Sequence, residues 1–128
     1  EVATHGGIAV VFNGNQYAVP YANVGLASVD IRFLYLVCKA FERGGKDAVM
    51  EVVTKWEENW STYEEDPMNI PDGYITADVK DFLTREKGKI PFPYFHNLER
   101  ADDRRKSEIL TIHKRLRMQV REDAGKLG

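Results

Sequence analysis

Three histidines, one cysteine and scattered carboxylates are the groups with which this chain could ligate a metal. His5, His96 and His113 stand far apart, and no His-x3-His or Cys-x2-Cys pair exists. Metal sites need closely spaced ligands or a fold that gathers distant ones. No metal and no cofactor is therefore expected; only tertiary folding could bring His96 and His113 together with Asp102 or Asp103. Cys38 lies in the apolar run Phe33 to Cys38 and reads as a small buried hydrophobe, with no adjacent His to lower its pKa.

Phosphate chemistry and nucleophilic catalysis find little support. His5-Gly6-Gly7 precedes a strand-like run, the reverse of the order that a phosphate cradle needs. Gly44-Gly45-Lys46 does precede a helix, but it follows another helix and lacks the G-x4-G-K-[ST] spacing. No G-x-S-x-G elbow occurs, and Ser28, Ser61 and Ser107 fall at or near expected helix ends, where capping accounts for them. The pairs Glu57-Glu58 and Glu64-Glu65 lack the burial that would split two carboxylate pKa values for acid/base work. No catalytic residue is assigned.

Binding is the better-supported chemistry. Trp56, Trp60 and Tyr63 share one helix face, and Tyr74, Phe92, Tyr94 and Phe95 flank it. Either these rings pack a core beneath the segment Ile90 to Phe95, or they form an aromatic groove for a peptide or partner helix. The prolines of Ile90 to Phe95 also make that segment a candidate extended ligand.

The residues from Glu99 to Gly128 hold nine of the eighteen Lys and Arg but six of the twenty Asp and Glu, a tail of +3 on a body of −5. Lys114, Arg117 and Arg121 recur at i, i+3 and i+7, and Arg104, Arg105, Lys106 and Arg115 extend the positive potential. Three uses compete: a solvated face, docking on an acidic surface, or phosphate contact with RNA or DNA. The acidic surface could belong to a partner or to this chain's own Glu57 to Asp66, which allows self-association. The stripe has no interleaved aromatic for base stacking, which disfavours nucleic acid.

These groups are positioned by a short list of elements. Ile8 to Phe12 and Gln16 to Tyr21 read as two strands of a hairpin turned by Asn13-Gly14-Asn15, with Pro20 ending the second. Ser28 caps an expected helix Val29 to Arg43, apolar around most of its circumference and hence central; a strand over Val29 to Val37 is the competing reading. Gly44-Gly45 ends that helix and joins it to a second, Asp47 to about Tyr63, as a helical hairpin. Pro67 and Pro71-Asp72-Gly73 turn the chain, and Thr76 caps a helix Ala77 to Lys87 closed by Gly88. Ile90 to Phe95 must be extended, since its prolines exclude regular helix. The last helix starts near Leu98 or Ala101 and runs to about Asp123, with Ile109, Ile112, Leu116 and Val120 as its apolar stripe.

At 128 residues, with 43% hydrophobic and 30% charged residues, the chain reads as a single globular domain, 1–128. Residues 1–6 are expected to be flexible and 124–128 frayed. No apolar run approaches the ~20 residues that span a bilayer, so no membrane partner is expected. A lone cysteine cannot form an internal disulfide, which points to a reducing intracellular compartment, cytoplasmic or nuclear. The start at Glu1 reads as a processed chain or a piece of a longer one.

The expected fold is α+β, an N-terminal β-hairpin packed on about four helices. The expected function is a non-enzymatic protein–protein interaction or assembly module. It would bind through Lys114, Arg117, Arg121, Arg104, Arg105, Trp56, Trp60 and Tyr94. A small nucleic-acid-binding domain is the alternative, followed by an enzyme whose site is assembled only in the fold.

Overall fold

A computed structural model describes the backbone of residues 2–5 and 7–127 and the side chains of residues 7–125. The fold is α+β. Four strands, β1 (Val2–His5), β2 (Ile8–Phe12), β3 (Val24–Ala27) and β4 (Tyr94–Asn97), form one sheet in sequential order. β1 and β2 are antiparallel, β2 and β3 parallel, β3 and β4 antiparallel.

The N-terminal hairpin exists, but its partners differ from those expected. Ile8–Phe12 pairs with Val2–His5, whose residues had been expected to be flexible; Glu1 and Gly6 of that segment lie outside the described residues. Gly7, at φ 94°, supplies the positive backbone angle that such a tight turn needs. Gln16 to Tyr21 is not a strand. Asn15 accepts the amides of Tyr17 and Ala18 on its side chain and those of Ala18 and Val19 on its carbonyl. The chain is thereby wound into a helical turn that ends in a 3-10 turn at Val19–Tyr21. Residues 13–23 consequently form a crossover to a parallel strand.

Asn13 begins this crossover. It takes φ 48°, and its side-chain amide accepts from Ser28 N at 2.9 Å while donating to Ser28 O at 2.7 Å. Ser28 is therefore tied to the sheet, and Asp30, not Ser28, caps the next element by accepting from Arg32 N. A 3-10 turn at Ile31–Phe33 leads into α1 (Leu34–Glu58), which contains both helices read from the sequence. They meet at a break where Gly45 takes φ 68°, a conformation that disfavours any side chain. The strand reading of Val29 to Val37 is excluded. α2 (Trp60–Glu65) continues after Asn59, and α3 (Ala77–Arg85) follows two 3-10 turns. Lys80 of α3 is buried and ties those turns down, donating to Ile70 O at 2.7 Å and Asp72 Oδ1 at 3.0 Å. Ile90–Phe95 is extended as expected and feeds β4. α4 (Asp103–Leu127) starts later than either expected residue because Asp102 accepts Arg105 N at 2.8 Å. It passes the expected end at Asp123, with Gly128 outside the described residues.

Strand alternation divides the core between the two faces of the sheet. On one, Ile8, Val10, Val24, Leu26 and Phe95 pack with Leu36, Val37, Val52, Val53 and Trp56 of α1. On the other, Val11, Val19, Ala22 and Leu98 pack with Ile109 of α4. Both halves of α1 contribute to the first cluster, so the Gly-Gly break serves one packed face. Cys38 is half-buried rather than core.

Candidate functional site

Ile109, His113 and Leu116 share the inward line of α4, and all three are fully buried. A polar ring on an apolar line needs a partner. Gly14 N provides one, donating to His113 Nδ1 at 2.8 Å. Because Nδ1 accepts, the neutral ring carries its proton on Nε2. One turn further on, Arg117 Nη1 donates to Asn13 O at 3.1 Å and Gly14 O at 2.9 Å. His113 and Arg117 together latch the crossover to α4. Gly14 is indispensable to the joint, since a Cβ there would lie 2.1 Å from Val11 Cγ2. His113 in turn occupies the space above Gly25, where a Cβ would meet Nε2 at 3.0 Å.

The latch presents two residues that no sequence pattern had linked to α4. Tyr17 is 75% exposed and Tyr21 83% exposed, on a segment whose Val19 and Ala22 are buried in the same cluster as Ile109. Lys114 and Arg121 are exposed and make no ion pair among the described residues, as is also true of Arg104. Arg117, expected as a binding residue, is half-buried and engaged with backbone carbonyls. Arg105 bridges Glu57 at 3.1 Å and Glu108 at 3.6 Å. Arg115 donates to Tyr94 Oη at 2.8 Å. The basic stripe thus divides into structural cations and free ones.

The aromatic face divides too. Trp56 is fully buried, with its ring edge-on to Phe95 at 5.0 Å, so it is core. Trp60 is half-buried and stacks on Tyr94 at 4.6 Å; both tryptophan Nε1 groups donate to Pro93 O. Beyond Tyr94 the stack continues to His96 at 5.8 Å and His113 at 6.0 Å. A cavity of about 210 Å³ opens beside this ladder, lined by Glu57, Trp60, Tyr94, His96, Arg105 and Ile112.

His96 and Glu57 therefore converge on one cavity, as an enzyme assembled by folding would require. Their chemistry is unfavourable for it. Burial, with repulsion from His113 and Arg105, pushes His96 down to about 3. Such an imidazole is far too weak a base near neutral pH. Glu57 is occupied by Arg105 and by Asn97 N, which it accepts at 3.0 Å. His113 is likewise pushed down to about 4 by burial and by Arg117. His96 Nδ1 and His113 Nε2 are both buried without a hydrogen-bond partner among the described residues.

No group of three or more His, Cys, Asp or Glu able to hold a metal exists among the described residues; the side chain of His5 lies outside them. His113 in particular offers a donor rather than a lone pair at Nε2. No helix among the described residues is long and apolar enough to cross a membrane. The chain matches no known family, no curated protein and no solved structure in sequence or fold comparison.

Sequence reasoning missed Tyr17, Tyr21, Gly14 and the role of His113. For His113 a signal existed, since it lies between Ile109 and Leu116 at helical spacing on the apolar line. For the tyrosines none did, because the crossover that carries them meets α4 through residues about a hundred positions apart.

Proposed function

We propose that this protein is a non-enzymatic binding module that presents the outer flank of α4 to a polyanionic partner. The observation that carries this reading is the pair Lys114 and Arg121, exposed and without ion pairs among the described residues, either side of the committed Arg117. Cations left without local counter-charges raise the local concentration of anionic partners and speed encounter. Arg104 extends the flank toward the start of the helix. The partner surface is narrower than the sequence suggests, because Trp56 belongs to the core and Arg105 to an internal bridge. Self-association through Glu57 to Asp66 is less favoured. Glu57 is held by Arg105, and Glu58 lies 3.6 Å from Arg100.

Heparin, a polyanion without bases or peptide groups, tests the electrostatic core of this reading. Wild-type protein is expected to bind it at low salt and to lose affinity steeply as salt rises. The double variant K114E/R121E should bind at least tenfold more weakly at equal salt, with a shallower salt slope. Failure to bind at low salt, or equal binding by the variant, would overturn the proposal.

A further inference from the structure

We infer that the partner of this surface is single-stranded nucleic acid, bound by Tyr17 and Tyr21 together with Lys114 and Arg121; this rests on the reading of α4 as the working surface. Sequence-independent binding of a single strand needs two things side by side: cations for the phosphates and exposed rings on which bases stack. The cations follow from α4 alone. The rings come from the crossover, which His113 and Arg117 hold against the same helix.

The crossover is built to present these rings rather than to bury them. Asn15 rigidifies its first turn, and Val19 and Ala22 anchor its inner side, yet Tyr17 and Tyr21 project at 75% and 83% exposure. Exposed tyrosines on a braced loop lose little freedom when they stack, so stacking is not offset by a large ordering cost. Pro20, exposed beside Tyr21, stiffens the backbone between the rings.

Charge favours the same occupant. From Val2 to Val29 the chain contains no Asp or Glu, so the crossover adds rings to the cationic flank without adding repulsion to phosphates. Lys114 and Arg121 lie about 10 Å apart along the helix at ~1.5 Å per residue, so both can face the backbone of one strand. A duplex fits less well, because its bases are stacked on one another and their faces are unavailable to tyrosine. An acidic polypeptide would use the cations but has no need of the two rings.

The test is fluorescence anisotropy with labelled dT and rU 20-mers and with heparin, on the full chain. Wild type is expected to bind both oligonucleotides, and the tighter of the two names the sugar preferred. The variant Y17A/Y21A should weaken oligonucleotide binding tenfold or more, through the lost base stacks, and leave heparin binding unchanged. K114E/R121E should weaken both. Because both tyrosines are exposed, the tyrosine variant is expected to keep the wild-type circular dichroism spectrum. Should heparin bind while both oligonucleotides do not, the nucleic-acid inference fails and the module reading stands. Unchanged oligonucleotide affinity in Y17A/Y21A overturns the inference equally. Should no polyanion bind, both readings fail.

Discussion

Acid is expected to unfold this protein through two imidazoles. His96 is 2% exposed and His113 0%, and burial pushes their pKa values from 6.5 down to about 3 and about 4. Arg105 beside His96 and Arg117 beside His113 oppose a second positive charge. In the unfolded chain both rings take up protons near pH 6.5, so below that value the unfolded state binds protons that the folded state refuses. Their contribution to stability is complete above about pH 7 and declines as pH falls, until the folded-state pKa values are passed. By pH 4 each ring costs about 3 kcal/mol, a combined loss of about 6 kcal/mol. Typical domains have about 5–15 kcal/mol in total, so a large part of the folded population is at risk there.

Urea unfolding followed by tryptophan fluorescence at pH 7, 6, 5 and 4 measures this loss. His96→Leu isolates one ring. The His96 side chain makes no hydrogen bond among the described residues, so replacing it should change stability at pH 7 by no more than about 1 kcal/mol. At pH 4 the variant should exceed the wild type by about 3 kcal/mol, the share of the deleted titration. Glu99, held below the usual carboxylate range by its hydrogen bond to Lys46, also loses stabilisation in acid, but identically in both proteins. A flat wild-type profile between pH 7 and 4.5, or an equal fall in H96L, would refute the account of a buried, neutral pair.

Three further substitutions test the joint and the division of the aromatic face. Gly14→Ala brings a methyl group to 2.1 Å from Val11 Cγ2, inside the packed layer between sheet and α4, and should cost about 3 kcal/mol in urea unfolding. It should also accelerate amide exchange through residues 15–21, because the crossover can no longer sit against His113 and Arg117. Trp56→Ala should cost about 3–5 kcal/mol as a core deletion. Trp60→Ala, removing a half-buried ring with a stack on Tyr94, an edge contact with Phe92 and one hydrogen bond, should cost about 1–2 kcal/mol. Equal losses in the two tryptophan variants would contradict the assignment of Trp56 to the core and Trp60 to the cavity wall.

Local pattern carried much of this architecture. The i, i+3, i+4 spacing of Val49, Val52, Val53 and Trp56 is the buried face of α1, and the glycine pair does interrupt that helix. The prolines of Ile90 to Phe95 kept it out of a helix, and it became the approach to an edge strand. Where the reading failed, a non-local partner overrode a local signal. Asn13-Gly14-Asn15 has the residues of a hairpin turn, and Asn13 does adopt positive φ. Yet Asn13 binds Ser28 and Gly14 binds His113, so the chain crosses over instead of folding back.

The candidate site divides along the same line. Residue type and helical spacing were enough to nominate Lys114 and Arg121, because a charge at a fixed interval on a helix is a local property. Whether a cation is free depends on what stands opposite it. Arg105 meets Glu57, Arg117 meets two carbonyls, and Lys114 and Arg121 meet no counter-charge among the described residues. The docking of the crossover that carries Tyr17 and Tyr21 against α4 was likewise decided only in three dimensions. Amphipathic helices and the α+β class follow from short-range periodicity, which a single chain displays along its length. Burial of His113, release of two cations and docking of the tyrosine-bearing crossover on α4 depend on long-range packing, through contacts between residues whose separation in sequence carries no signal.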